Sequence, residues 1–131
     1  MKILRPVDIE DEIRLALTEY LRVFVRPLPE KFPTPCLLVS VAGGNSKDTI
    51  DSFTVSLSAR AKTDAESYEY LRTAIGILEE QARRQVGALR SVNINSIGQW
   101  GTDPVRPDLK LSTATVIVTA HRETFEIKEE S

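Results

Sequence analysis

The sequence has one cysteine, one histidine, one tryptophan and one methionine in 131 residues, and each scarcity removes a class of chemistry. The lone Cys36 can form no intrachain disulfide, and no cysteines or histidines stand at zinc-ligand spacing. Neither a disulfide scaffold nor a metal site is expected, and a reducing cytoplasm suits synthesis. Charge of one sign is also missing: 19 acids and 17 bases are interspersed to a net charge of -2, which leaves no field to attract polyphosphate or anionic lipid. Sequence recognition of nucleic acid is not expected. No apolar run approaches the ~20 residues that cross a bilayer, and Arg5 and Pro6 interrupt the first apolar residues at once. A membrane partner and a secretory leader are therefore not expected either.

What is present suffices for one core. At 131 residues, 41% hydrophobic and 27% charged, the chain reads as a single domain over residues 1–131. Ile9, Ile13, Ala16, Leu17, Tyr20, Leu21 and Phe24 recur at three- and four-residue spacing, which predicts a helix over residues 8–24 capped by Asp8. Pro27, Pro29, Pro33 and Pro35 then make an extended connector. The apolar run 36–42 suits a buried strand, and the polar stretch Gly43-Gly44-Asn45-Ser46-Lys47-Asp48 a loop. Residues 53–61 alternate, with Phe53, Val55, Leu57, Ala59 and Ala61 on one face and Thr54, Ser56, Ser58 and Arg60 on the other. Thr63-Asp64-Ala65-Glu66 matches a capping box and opens a helix over 64–86, with Gly87 as its closing residue. Residues 92–97 alternate again, then a Gly- and Pro-containing loop spans 98–108, and a long Thr/Val-rich strand runs from 111 to 120 and on toward Ile127. The expected fold class is α+β: an antiparallel sheet of four or more strands with two α-helices packed on it, in the order α-β-β-α-β-β.

Few motifs carry chemistry. The Gly43–Thr49 stretch lacks the Gly directly before Lys47 and the Ser or Thr directly after it that a phosphate loop needs, and a strand follows where a helix is required. Cys36 and His121 each fall within a predicted strand, without an oxyanion or third-group signature, and so read as a buried thiol and an edge histidine. Glu79 and Glu80, adjacent on a helix, point about 100° apart and do not oppose each other across a substrate. Trp100, flanked by Gly98 and Gly101, is either tucked over the core edge or exposed as a contact anchor. With Pro104, Arg106 and Pro107 it makes the 98–108 loop the candidate subunit or partner contact, and Gly43, Gly44 and Lys47 are further candidates.

The N-terminal helix, the run Pro33-Thr34-Pro35-Cys36-Leu37-Leu38-Val39-Ser40-Val41-Ala42-Gly43-Gly44 and the strand Phe53-Thr54-Val55-Ser56-Leu57-Ser58-Ala59-Arg60-Ala61 form a pattern with the parts that follow. These are a Thr-capped helix and Gly98-Gln99-Trp100-Gly101-Thr102-Asp103-Pro104 before a Thr/Val strand. Over most of its length the chain thereby resembles the tail terminator (tail completion) proteins of long-tailed, non-contractile bacteriophages. The resemblance implies a virion structural protein at the head-proximal end of the tail: a ring, typically of six subunits, that caps the tail tube, ends its polymerisation and offers a surface for head joining. Its implied partners are its own copies, the major tail tube protein and a head-tail connector, with no catalysis and no cofactor. Two other readings stay open, a connector or neck subunit of the same virion and a small ligand-binding α+β domain. The shortage of histidine and of clustered polar side chains speaks against the second.

Overall fold

Thr63 opens the longest helix by accepting the Glu66 N–H on its hydroxyl (3.1 Å), the capping contact its sequence predicts. A computed structural model describes residues 1–47 and 50–128, and not the side chains of Gln99 and Trp100. In it this helix, α2, runs Asp64–Arg83 and buries Leu71, Ala74, Ile75, Leu78 and Ala82 along one stripe. It closes on Gln85, not Gly87: Gln85 takes the left-handed conformation (φ 56°), and its N–H and that of Val86 return to the carbonyls of Ala82 and Gln81. That is a Schellman ending with a non-glycine residue at its left-handed position. The first helix, α1 (Ile9–Leu17), is capped by the Asp8 carboxylate on the Asp11 N–H at 3.2 Å.

The described residues form seven strands besides these helices: β1 (Lys2–Arg5), β2 (Val23–Val25), β3 (Cys36–Lys47), β4 (Ile50–Ala61), β5 (Leu89–Thr102), β6 (Lys110–His121) and β7 (Glu123–Glu126). Five form one sheet in the order β2-β3-β4-β6-β5, and β1 pairs with β7 in a separate antiparallel ribbon. Leu37, Val39, Val55, Leu57, Val116 and Val118 line the face that both helices cover, and together with Ile13, Leu17, Leu71 and Leu78 they are completely buried. Each such side chain contributes about 1.5–3 kcal/mol by leaving water. The opposite face carries Ser56, Ser58, Thr113 and Thr115, half-buried, and at one end the proline segment and the loop after β5 come together over Leu38 and Arg60.

This architecture corrects the expected fold class and order. Strand makes up 48% of the described residues and helix 23%, the element order is β-α-β-β-β-α-β-β-β, and the sheet is mixed because β2 runs parallel to β3. The predicted 8–24 helix stops at Leu17, where the N–H groups of Tyr20 and Leu21 both turn back to the Leu17 carbonyl. The β-branched and aromatic Val23, Phe24 and Val25 are then drawn into the sheet by pairing with Leu37, Leu38 and Val39. Gly43 to Lys47 are strand, not loop, and Asp48, the last residue of that predicted loop, lies outside the described residues. Gly44 is needed there because a Cβ would lie 2.6 Å from the Ser52 carbonyl oxygen. Gly98, Gln99, Trp100 and Gly101 likewise continue β5, so the expected 98–108 loop contracts to residues 103–109. The long last strand breaks at Arg122, and β7 turns away to meet β1.

Candidate functional site

β5 departs most from simple alternation. Arg90, Asn95 and Gly98 are each one residue too many against β6, and these three bulges reset the two-residue period. Gly98 accommodates its bulge with φ 89°. As a result Leu89, Val92, Ile94 and Ile97 stand opposite Ala120, Val118, Val116 and Ala114, all on the helix-covered side, and the backbone of Trp100 pairs with Ser112. Leu89 is buried under α2, but the row runs out from beneath the helix, and Ile94 and Ile97 remain 45% and 41% exposed. β5 is also an edge strand, and from Ser91 to Thr102 it contains no charged residue and no proline. Those are the residues with which proteins usually protect an edge.

The loop after β5 is held down. Asp103 is almost fully buried; its carboxylate accepts N–H groups from Val105 (2.8 Å) and Arg106 (3.1 Å) and the Arg60 Nε at 2.5 Å. Burial alone would raise its pKa, but the two backbone N–H groups and the Arg60 guanidinium overcome this and hold the carboxyl below its usual range. The Asp103 N–H donates to the Leu109 carbonyl, and Leu109 is buried. The Arg106 guanidinium lies 5.3 Å from the Phe32 ring centre and pairs with Asp108 at 3.1 Å, which clips the loop to the proline segment. Between them is a cleft of about 270 Å³ walled by Leu28, Pro29, Phe32, Pro104 and Val105, with Arg60 and Asp103 at its base. Val105 stands 85% exposed on its rim.

The candidate contact residues therefore fall into two groups. Trp100, Pro104, Arg106 and Pro107 gather where β5 passes into β6, whereas Gly43, Gly44 and Lys47 lie on the outer end of β3. Gly44 is level with Val118 of β6, through Phe53, and Trp100 with Ser112, so the groups stand about 20 Å apart along the strands. Ile94, Ile97, Arg60 and Phe32 were not among the candidates. The uncharged stretch 91–102 was the readable signal for the first two, while the 43-residue separation of Arg60 from Asp103 left none for that pair.

Cys36 and His121 do not form a pair. Cys36 is level with Leu111 through Arg60, and His121 is ten residues further along β6, about 33 Å away. Cys36 is completely buried; burial pushes its thiol up, against the opposing pull of Arg60 and Arg22. Glu80 is tied to Arg83 and Arg84, and no cluster of three or more His, Cys, Asp or Glu suited to a metal occurs among the described residues. Compared with known proteins, the chain matches no family model, and no curated protein is similar enough in sequence to count as a relative.

Proposed function

We propose that this chain is a virion structural protein, a tail terminator that closes into a ring on the end of a tail tube, stops its growth and offers the surface to which the head joins. The observation that carries this reading is the β5 edge: an edge strand of 14 residues whose last 12 lack charge and proline, with two isoleucines exposed beside it. An edge of this kind favours pairing with another chain, and a closed ring uses up such edges where an open array would go on polymerising. The resemblance of the strand-Gly-Gly and Gly-Gln-Trp-Gly segments to tail terminators supplies the specific role. The protein acts by assembly, without catalysis, and its partners are its own copies, the tail tube protein and the head-tail connector. Six copies of 14.6 kDa would make a ring of about 88 kDa.

The test is Trp100→Ala combined with Arg106→Ala, introduced into phage particles by complementation. Unchanged melting of the purified variant together with overlong tails or unjoined heads is the expected result. Normal melting with normal tails and full infectivity would remove this surface from the function, and particles imaged without a ring of this chain at the tail end would refute the reading altogether.

A further inference from the structure

The five-stranded sheet has two unlike edges. On one side β2 covers only Leu37 to Val39 of β3, and the next outward backbone groups are occupied: the Val41 N–H donates to Glu10 Oε2 (2.9 Å) and its carbonyl accepts from Arg26 (3.3 Å). Among the described residues, the outer side of β3 from Gly43 to Lys47, beyond this cap, faces no further strand, and on the opposite side of the sheet the outer edge of β5 pairs with none. We propose that the β5 edge of one copy pairs antiparallel with this outer arm of β3 in the next copy, head to tail. The proposal rests on the ring reading above and adds to it the edges that close the ring.

Strand direction allows the joint. Along the sheet β3, β4, β6 and β5 alternate in direction, so β5 runs opposite to β3. A rotation about an axis roughly along the strands preserves direction, and the alternation then continues across the joint. Charge allows it as well: neither Gly43 to Ser46 nor Val92 to Gly101 carries a charge, and Lys47, the one charge of the arm, stands exposed at its end.

Sterics set the register. β2 stands one strand spacing outside the arm, about 4.8 Å. Docking at equal height would press β2 against β5 near Ile97 to Trp100, because Val23 to Val25 are level with that stretch through Leu37, Ala59 and Ser112. Sliding the arm toward Thr102 by about six residues carries β2 past the end of β5, and an even shift keeps the apolar row on the helix-covered side. Ser46 then comes opposite Ile97, and Gly44 opposite Trp100. A stagger of about six residues for every four strands (β3, β4, β6 and β5) is about 1.5 residues per strand, which corresponds to a strand tilt of roughly 45°, the steep end of the range for closed barrels. It is independent of copy number. The same shift brings the 103–109 loop beside the neighbour's β2, so the two groups of candidate residues, separated within one subunit, meet at one joint. The paired arm is only the five residues Gly43 to Lys47, against the roughly 20–30 residues per side of a standard interface, so a single joint holds weakly and closure, with two joints per subunit, stabilises the assembly.

Oxidative cross-linking of purified protein tests this directly. The double variant Ser46→Cys with Ile97→Cys, in which the native Cys36 stays buried, should give a ladder of covalent multimers on non-reducing gels that ends in a closed species. Either single variant should give none. Absence of the ladder, or equal cross-linking by Ser46→Cys with Val92→Cys, overturns the register proposed, and dimers from Ile97→Cys alone would show a symmetric β5–β5 contact and overturn the proposal. A ladder from a chain that imaging does not find at the tail end would uphold the joint and refute only the terminator role.

Discussion

Asp103→Asn isolates the charge beneath the 103–109 loop from its hydrogen bonds. Asparagine keeps an oxygen for the N–H groups of Val105 and Arg106, but the Arg60 guanidinium, with only 11% of its side chain exposed, loses its counter-ion. Removing one partner of a buried pair costs about 3–5 kcal/mol, and the lower end applies because Ser58 Oγ still accepts from Arg60 at 3.0 Å. About 3 kcal/mol in a domain of this size corresponds to a fall in Tm of roughly 10–15 °C. The pH dependence follows from the lowered carboxyl. Its folded pKa lies below the usual 3.8, so the unfolded chain takes up the proton first as the solution is acidified. The contribution is whole above about pH 4 and is lost as pH falls through the folded pKa. Melting curves at pH 7 and pH 3 should therefore show the gap between wild type and Asp103→Asn narrowing in acid. Pairing Asp103→Asn with Arg60→Met should recover much of the loss, because no charge is then stranded. A fall of less than ~3 °C at pH 7, or a gap that does not change with pH, would refute the account of a buried, charge-held loop.

Three further substitutions probe the frame. Gly76 sits on the exposed side of α2 with open space where a Cβ would be, so Gly76→Ala should raise stability by about 1 kcal/mol in urea unfolding; a loss would mean the site is not open. Gln85→Gly relieves the left-handed strain at the end of α2 at some entropic cost, and a net gain of about 0.5–1 kcal/mol is expected by the same method. Ser67 and Ser112 share a buried hydroxyl bond of 2.7 Å, so Ser67→Ala should cost about 1–2 kcal/mol and the double change to alanine less than the single one; additive losses would count against the bond.

The parts of the fold that depend on local chemistry were legible. Thr63 and Glu66 marked the start of α2, and β4 alternated cleanly because it lies inside the sheet with no bulge against β6. β5 was legible only in part, because its bulges place apolar residues three apart, at 89 and 92, 94 and 97, and 97 and 100, a step that breaks the two-residue period of a strand and imitates that of a helix. β1, β2 and β7 are three or four residues long, too short for a period to show, and exist only through partners distant in sequence, such as Lys2 with Glu126. The candidate site divides in the same way. Arg106 and the prolines could be picked out by residue type and setting, but the tie from Arg106 to Phe32 and the salt bridge from Arg60 to Asp103 depend on tertiary structure.

The sheet can be regarded as two hairpins zipped along one seam. β3 with β4, and β5 with β6, are neighbours in sequence and can form early at little cost in chain entropy. The β4–β6 seam joins residues 61 and 110 at its nearest point and runs unbroken for twelve pairs. Its closure requires both hairpins and α2 to be in place, so the seam should set the folding rate. Substitutions along it, at Val55 or Val116 for instance, should slow refolding, whereas changes in the β1–β7 ribbon should mainly speed unfolding.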